Sequence, residues 1–140
     1  MAIFVFVGAV ARRLGPALAI WMALAAGIAG NVLTALVVPG GHVSIGASTA
    51  VFGALGTLSA LQVPHRGAWL TLGAGVALLG LLGTGAQADL LAHLFGFAAG
   101  VAGGLAVRRM TPPRRSDGQA AIAFLAAVPI ALAWWRALGR

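Results

Sequence analysis

The feature that most constrains the fold is a succession of six apolar runs, separated by short stretches rich in glycine, proline and arginine. The runs cover residues 2–11, 17–38, 46–63, 68–86, 88–107 and 119–135. Because a helix needs about 20 apolar residues to cross the hydrocarbon core of a bilayer, runs two to five predict transmembrane helices. The sixth run is of borderline length, but Trp134 and Trp135 give it an aromatic anchor at one interface.

The first run is too short to cross a membrane and resembles the second half of a longer helix. The sequence therefore predicts an all-α, polytopic transmembrane helix bundle, with about five full spans plus a partial N-terminal helix. Composition agrees, since 61% of the residues are hydrophobic and 8% are charged, against about 25% charged residues in soluble proteins. Cysteine is absent and the three histidines lie on separate segments, so neither a metal nor a cofactor is expected.

The basic residues indicate how the chain is oriented. All nine are arginines and give a formal net charge of +7. They lie at the ends of apolar runs, which is typical of topology signals and argues against a nucleic-acid partner. The loops after runs one, three and five carry seven arginines and the loops after runs two and four carry none, so the odd loops are predicted to be cytoplasmic. Arg136 and Arg140 fall on the outer side by this count, which argues against the last run being a span.

Two polar residues inside apolar runs predict the chemistry. Run three starts from an outer loop and places Ser48 in its first turn, while His93 lies about one turn into run five. Ionisable groups at membrane depth usually mark function. A hydroxyl nucleophile and a proton acceptor are the two parts of a serine hydrolase dyad. Both side chains are predicted at a shallow depth on the non-cytoplasmic side, where water can reach them.

Small residues accompany both side chains. Gly96 and Gly100 follow His93 at i+3 and i+7 and so share its helix face. Around Ser48, the flanking residues are Gly46 and Gly53, with Phe52 one turn further along. Small residues allow helix backbones to approach closely in lipid, which predicts that the serine and histidine meet within about 3 Å. For either helix alone, a generic packing motif is the favoured explanation of the glycines.

Taken together, the segments Gly46-Ala-Ser-Thr-Ala-Val-Phe-Gly53 and Ala92-His-Leu-Phe-Gly-Phe-Ala-Ala-Gly100 resemble the two motifs of the rhomboid family of intramembrane serine proteases. The resemblance covers roughly residues 2–107 and includes the Arg13-Leu-Gly15 segment. It implies that Ser48 attacks the scissile carbonyl, that His93 moves the proton, and that the ring of Phe52 supports the histidine. The implied partners are transmembrane protein substrates within the lipid bilayer, and the implied location is a bacterial inner membrane.

The resemblance also sets the expected domain organisation. Residues 1–140 form a single rhomboid-like membrane domain, with a family-like core over 1–107, a polar cytoplasmic linker over 108–118 and an additional C-terminal hydrophobic helix over 119–138. The chain begins after the family's first helix and after its H-x-x-x-N motif, which supplies oxyanion-hole side chains. We therefore expect the natural protein to start upstream of Met1. A second departure is Thr49, which stands where the family usually has glycine.

Other functions and other residues weigh less. A non-proteolytic rhomboid-like protein that binds transmembrane helices is the main alternative, and a small transporter or channel subunit would require charge pairs or broken helices in mid-membrane. Asn31 is predicted to form an interhelical hydrogen bond. Ser44 and Ser59 are weaker candidates for the nucleophile, because neither has the flanking glycines of Ser48. His42 and His65 lie in loops and are predicted to be solvated rather than metal ligands.

Overall fold

The computed structural model describes residues 2–38, 47–63, 67–82, 89–110 and 116–139, and in these ranges it consists of helices and contains no strand. The described helices are α1 (Ala2–Leu14), α2 (Pro16–Val37), α3 (Ser48–Gln62), α4 (Gly67–Leu82), α5 (Leu90–Arg108) and α6 (Ser116–Leu138). Their order follows the six apolar runs of the sequence. The all-helical architecture predicted from the sequence is therefore confirmed for the part of the chain that the structure describes.

Three of the described helices are long and apolar enough to cross a membrane, namely Pro16–Val37, Leu90–Arg108 and Asp117–Leu138. The predicted count of five full spans is not confirmed, because the described parts of α3 and α4 have 15 and 16 residues. At 1.5 Å per residue, α3 is about 22 Å long, shorter than a hydrocarbon core of about 30 Å. The three long helices identify the chain as an integral membrane protein.

Helix α3 forms the centre of the bundle. It packs most extensively against α5 and α2, and it also contacts α1 and α4. Nine of its 15 residues are buried, and most of these are small or hydroxylated. A helix that other helices surround on several sides needs small side chains on all of those sides. Its apolar residues are therefore not confined to a single stripe.

The outer surface of the bundle is apolar. Large side chains such as Phe4, Trp69 and Trp135 are 78–80% exposed. In water such a surface would cause association, whereas in a bilayer it faces lipid tails. Helix α6 is the most exposed of the candidate spans, with 6% of its apolar window buried, and it packs against α2.

The C-terminal end of α3 is held by two arginines from neighbouring helices. Arg13 of α1 donates a hydrogen bond to the carbonyl oxygen of Leu61 at 3.3 Å, and Arg108 of α5 donates one to the carbonyl oxygen of Val63. The last carbonyl groups of a helix have no partner within the helix itself. These arginines, which the sequence predicts as topology signals, therefore also satisfy the backbone at the end of the central helix.

The junction between α1 and α2 depends on Gly15. This residue has a φ of +90° and a ψ of 155°, and Pro16 follows as the first residue of α2. Gln119 of α6 lies over the junction, where its amide nitrogen donates to the carbonyl of Leu14 and its amide oxygen accepts from the N–H of Ala17, both at 3.1 Å. A Cβ added to Gly15 would overlap the Gln119 side chain. The junction and the docking of α6 therefore require the same glycine.

Replacing Gly15 by alanine is expected to lower the free energy of unfolding by about 1–3 kcal/mol, because alanine is strained at this backbone conformation. The measurement is thermal unfolding of the purified protein in detergent. Gly8→Ala is the matched control, since a Cβ at Gly8 of α1 would meet nothing within 4 Å. Alanine is also the better helix former by about 1 kcal/mol. Equal unfolding temperatures for the two variants would show that the junction does not require glycine.

Candidate active site

Ser48 is the first residue of α3, preceded by Ala47 in the N-cap position. Ala47 has no polar side chain and makes no side-chain hydrogen bond as the cap. Ser48 is exposed, whereas the next residue along the helix is buried. The start of α3 therefore presents the serine hydroxyl at the edge of the bundle while the rest of the helix enters its centre.

His93 lies in the first turn of α5, and its position is set by a capped helix start. The carboxylate of Asp89 accepts a hydrogen bond from the N–H of Ala92 at 3.0 Å, and the N–H of His93 donates to the Asp89 carbonyl at the same distance. An acidic N-cap is favoured both by this hydrogen bond and by the helix dipole. The side chain of His93 is 5% exposed, so α5 starts at a defined residue and directs the imidazole inward.

The two side chains meet. Nε2 of His93 lies 2.8 Å from Oγ of Ser48, a normal hydrogen-bond distance. This places the pair within the reach of about 3 Å expected from the sequence. A nucleophile and a base at this separation can exchange a proton without any movement of the backbone.

Phe52, one turn after Ser48 on α3, stacks on the imidazole ring of His93. The ring centroids are 4.6 Å apart and the planes are inclined by 29°. Phe52 is 1% exposed and is packed with Leu55, Phe6 of α1 and Phe97 of α5. The stacking restricts how the imidazole can rotate, and the surrounding apolar side chains keep Phe52 itself in place.

The other ring nitrogen of His93, Nδ1, is buried and has no hydrogen-bond partner among the described residues. When Nε2 accepts a proton from Ser48, Nδ1 must carry the hydrogen of the neutral ring. In the described part of the chain, aromatic stacking rather than a hydrogen bond to a carboxylate therefore orients the ring. This differs from a Ser-His-Asp triad, in which an aspartate holds Nδ1.

The glycines near the pair bring α3 and α5 into backbone contact. A Cβ added to Gly96 would lie 2.7 Å from the carbonyl oxygen of Thr49, and a Cβ at Gly100 would overlap the carbonyl oxygen of Gly53. Thr57 of α3 then bridges the helices, because its hydroxyl lies 3.0 Å from the Gly53 carbonyl and 3.1 Å from the Gly100 carbonyl. Gly46, the remaining support residue named from the sequence, lies outside the described residues.

Asn31 and Thr49 are linked beside the pair. Thr49 donates a hydrogen bond from Oγ1 to Oδ1 of Asn31 at 3.2 Å, which confirms the interhelical role predicted for Asn31. Thr49 stands where the rhomboid family usually has glycine. The backbone at Thr49 does not require glycine, because no residue other than glycine has a positive φ in the described residues. The sequence signal for this contact was that Asn31 and Thr49 are polar residues in otherwise apolar helices.

The rival residues do not form a second site in the described ranges. Ser59 is buried and donates a hydrogen bond to the Leu55 carbonyl of its own helix at 2.9 Å. Ser44, His42 and His65 lie outside the described residues. Within the ranges that are described, no three histidine, aspartate or glutamate side chains are grouped closely enough to hold a metal ion.

The described helices form an apolar bundle in which Ser48 and His93 are in hydrogen-bond contact at the N-terminal end of the central helix α3. Comparison with protein families matches the Rhomboid domain over residues 1–110 of this chain. The chain belongs to the rhomboid family, whose members are in general intramembrane serine proteases. No curated protein and no solved structure gives a significant match to it.

Gly100→Ala is expected to lower the free energy of unfolding by about 1–3 kcal/mol, because the added methyl group must push α3 and α5 apart. Gly73→Ala on α4 is the matched control, since its Cβ would meet nothing within 4 Å. Both variants are compared with the unmodified chain by thermal unfolding in the same detergent. If Gly100→Ala unfolds no earlier than Gly73→Ala, the close α3–α5 packing described above is incorrect.

Proposed function

We propose that this chain is an intramembrane serine endopeptidase that cleaves transmembrane protein substrates through a dyad of Ser48 and His93. The observation that supports the proposal most is the 2.8 Å contact between Ser48 Oγ and His93 Nε2. Membership of the rhomboid family supports the same reaction class. The alternative, a non-proteolytic protein that binds transmembrane helices, does not require a serine and a histidine to be in contact.

In the proposed reaction, Ser48 Oγ attacks the scissile carbonyl carbon while His93 Nε2 takes the hydroxyl proton. The tetrahedral intermediate collapses when His93 gives this proton to the leaving amine, which leaves the acyl group esterified to Ser48. Water then attacks the ester as His93 accepts its proton, and return of the proton to Ser48 Oγ releases the carboxylic acid product. Phe52 holds the imidazole in the orientation that each of these transfers needs.

The position of Ser48 at a helix start favours this chemistry. The first N–H groups of a helix have no partner within the helix and carry a partial positive charge. The N–H of Ser48 belongs to this group, since α3 begins at Ser48. A backbone N–H next to the nucleophile that has no partner within its own helix can donate to the developing oxyanion, a type of interaction worth about 10²–10³ in turnover for each donor.

We further propose that the site faces the non-cytoplasmic side of an inner membrane. Arg13 and Arg108 hydrogen-bond to the C-terminal end of α3, whereas Ser48 lies at its N-terminal end. By the positive-inside rule, the arginine end is cytoplasmic. The two ends of α3 are about 21 Å apart along the helix axis, so the dyad lies toward the opposite face of the bilayer. Water reaches a site there without crossing the membrane.

Ser48→Ala and His93→Ala are each expected to reduce cleavage of a transmembrane substrate in liposomes by at least about 10³-fold, because the two residues act as one unit. For the same reason the double variant should be no slower than the slower single variant. Ser48→Ala should also abolish labelling by a serine-reactive fluorophosphonate.

Ser59→Ala is the matched control for this experiment. It removes a hydroxyl from the same helix, but that hydroxyl donates within α3 to the Leu55 carbonyl. The control is expected to be labelled and to cleave like the unmodified chain. A folded, unmodified chain that is neither labelled nor able to cleave would contradict the proposal and favour the helix-binding alternative. Cleavage that survives Ser48→Ala would also contradict it.

A further inference from the structure

Thr49 follows Ser48 directly and is 1% exposed. Its hydroxyl donates to the amide oxygen of Asn31 on α2, with 3.2 Å between Oγ1 and Oδ1. Its methyl carbon, Cγ2, lies between two glycine backbones: a Cβ at Gly30 of α2 would come within 2.7 Å of it, and a Cβ at Gly96 of α5 within 2.8 Å. One side chain of α3 therefore contacts α2 through its hydroxyl and both α2 and α5 through its methyl group.

The branching of threonine links these two contacts. Oγ1 and Cγ2 are bonded to the same carbon, so one χ1 angle sets both directions, and the side chain has few allowed rotamers. When Oγ1 is held by Asn31, Cγ2 is directed into the space between Gly30 and Gly96. Without the hydrogen bond, the hydroxyl would be left in an apolar interior, where an unpaired polar group is costly. The hydrogen bond therefore selects the rotamer that packs against α5.

This contact lies next to the dyad on both helices. Thr49 is adjacent to Ser48, and Gly96 is one helical turn after His93. The separation and rotation of α3 and α5 at this level determine the distance between Ser48 Oγ and His93 Nε2. A shift of about 1 Å between reacting groups can cost about 10²-fold in rate. The side chain that spaces the helices here is consequently placed to affect the geometry of the reaction.

We propose that Thr49 and Asn31 form a positioning pair that holds Ser48 and His93 at reacting distance, an inference that rests on the hydrolase function proposed above. Neither residue needs to touch the substrate. The hydroxyl of Thr49 and the amide of Asn31 act through the placement of α3 against α2 and α5. A chain in which the pair serves only to stabilise the fold would lose stability on their removal but would keep its turnover per folded molecule.

The test uses three variants of the full chain in liposomes: Thr49→Val, Asn31→Leu and the double variant. Thr49→Val keeps the branched shape and the methyl contact but removes the donor, while Asn31→Leu removes the acceptor. Each single variant is expected to lower kcat about 5- to 10-fold with KM unchanged, the rate equivalent of one hydrogen bond. The rate of fluorophosphonate labelling at Ser48 should fall by the same factor, since it reports nucleophile activation without a peptide substrate.

The double variant is expected to be no slower than the slower single variant, because both substitutions remove the same hydrogen bond. Thr34→Val is the matched control. It removes another fully buried threonine hydroxyl, but one that donates within α2 to the Gly30 carbonyl at 2.8 Å. It should leave kcat and the labelling rate unchanged. All rates are expressed per folded molecule after size-exclusion purification. If Thr49→Val does not fold, the loss of kcat and of labelling rate in Asn31→Leu tests the inference by itself.

Three results would overturn the inference while the hydrolase function stands. The first is that the single variants keep the kcat of the unmodified chain although they unfold at a lower temperature. The second is that the loss of kcat in the double variant equals the product of the two single losses. The third is that Thr34→Val loses as much kcat as the single variants. An unmodified chain that is neither labelled nor active is a different result. It would reject the hydrolase function itself, and the positioning role would be rejected with it.

Discussion

The close approach of the α3 and α5 backbones is the constraint on which the rest of the structure depends. Hydrophobic burial does not drive helix association in lipid, so packing and interhelical hydrogen bonds must do so. Backbone contact at Gly53 and Gly100 provides the packing, and the single hydroxyl hydrogen of Thr57 is shared between the carbonyl oxygens of these two glycines. Because Ser48 and His93 lie one to two turns from this contact, the same packing that stabilises the bundle also brings the two side chains together.

A short, central helix such as α3 must satisfy its polar groups without water. The hydroxyls of Thr57 and Ser59 each lie within hydrogen-bond distance of the carbonyl four residues earlier in α3. The carbonyl groups at the C-terminal end of α3 accept hydrogen bonds from Arg13 and Arg108. In an apolar medium each unsatisfied group would cost several kcal/mol. Helix α3 can be shorter than the bilayer because arginines of α1 and α5 supply donors to the carbonyl groups at its C-terminal end.

The surroundings of His93 show how aromatic packing can replace a third polar partner. Phe52 stacks on the imidazole, and Phe6 and Phe97 pack against the Phe52 cluster from α1 and α5. The imidazole is therefore oriented by Phe52, whose cluster is packed in turn by side chains from α1 and α5. Such an arrangement restrains rotation of the imidazole but leaves Nδ1 without a hydrogen bond among the described residues. It suits a dyad in which Nε2 accepts and releases the proton while Nδ1 keeps its own hydrogen.

The sequence by itself determined the helical class, the order of the helices, and the pairing of Ser48 with His93 through a glycine face. The class and the order follow from hydropathy, which is a local property of the chain. The pairing was predicted from the two motifs taken together and from their resemblance to the rhomboid family. Tertiary structure alone decided that Arg13 and Arg108 bond to the C-terminal end of α3, that Thr49 packs between two glycines, and that Gln119 bonds across the α1–α2 junction. Each of these depends on how one helix is rotated and shifted against another. That arrangement is set by contacts between residues far apart in sequence, which neither composition nor spacing records.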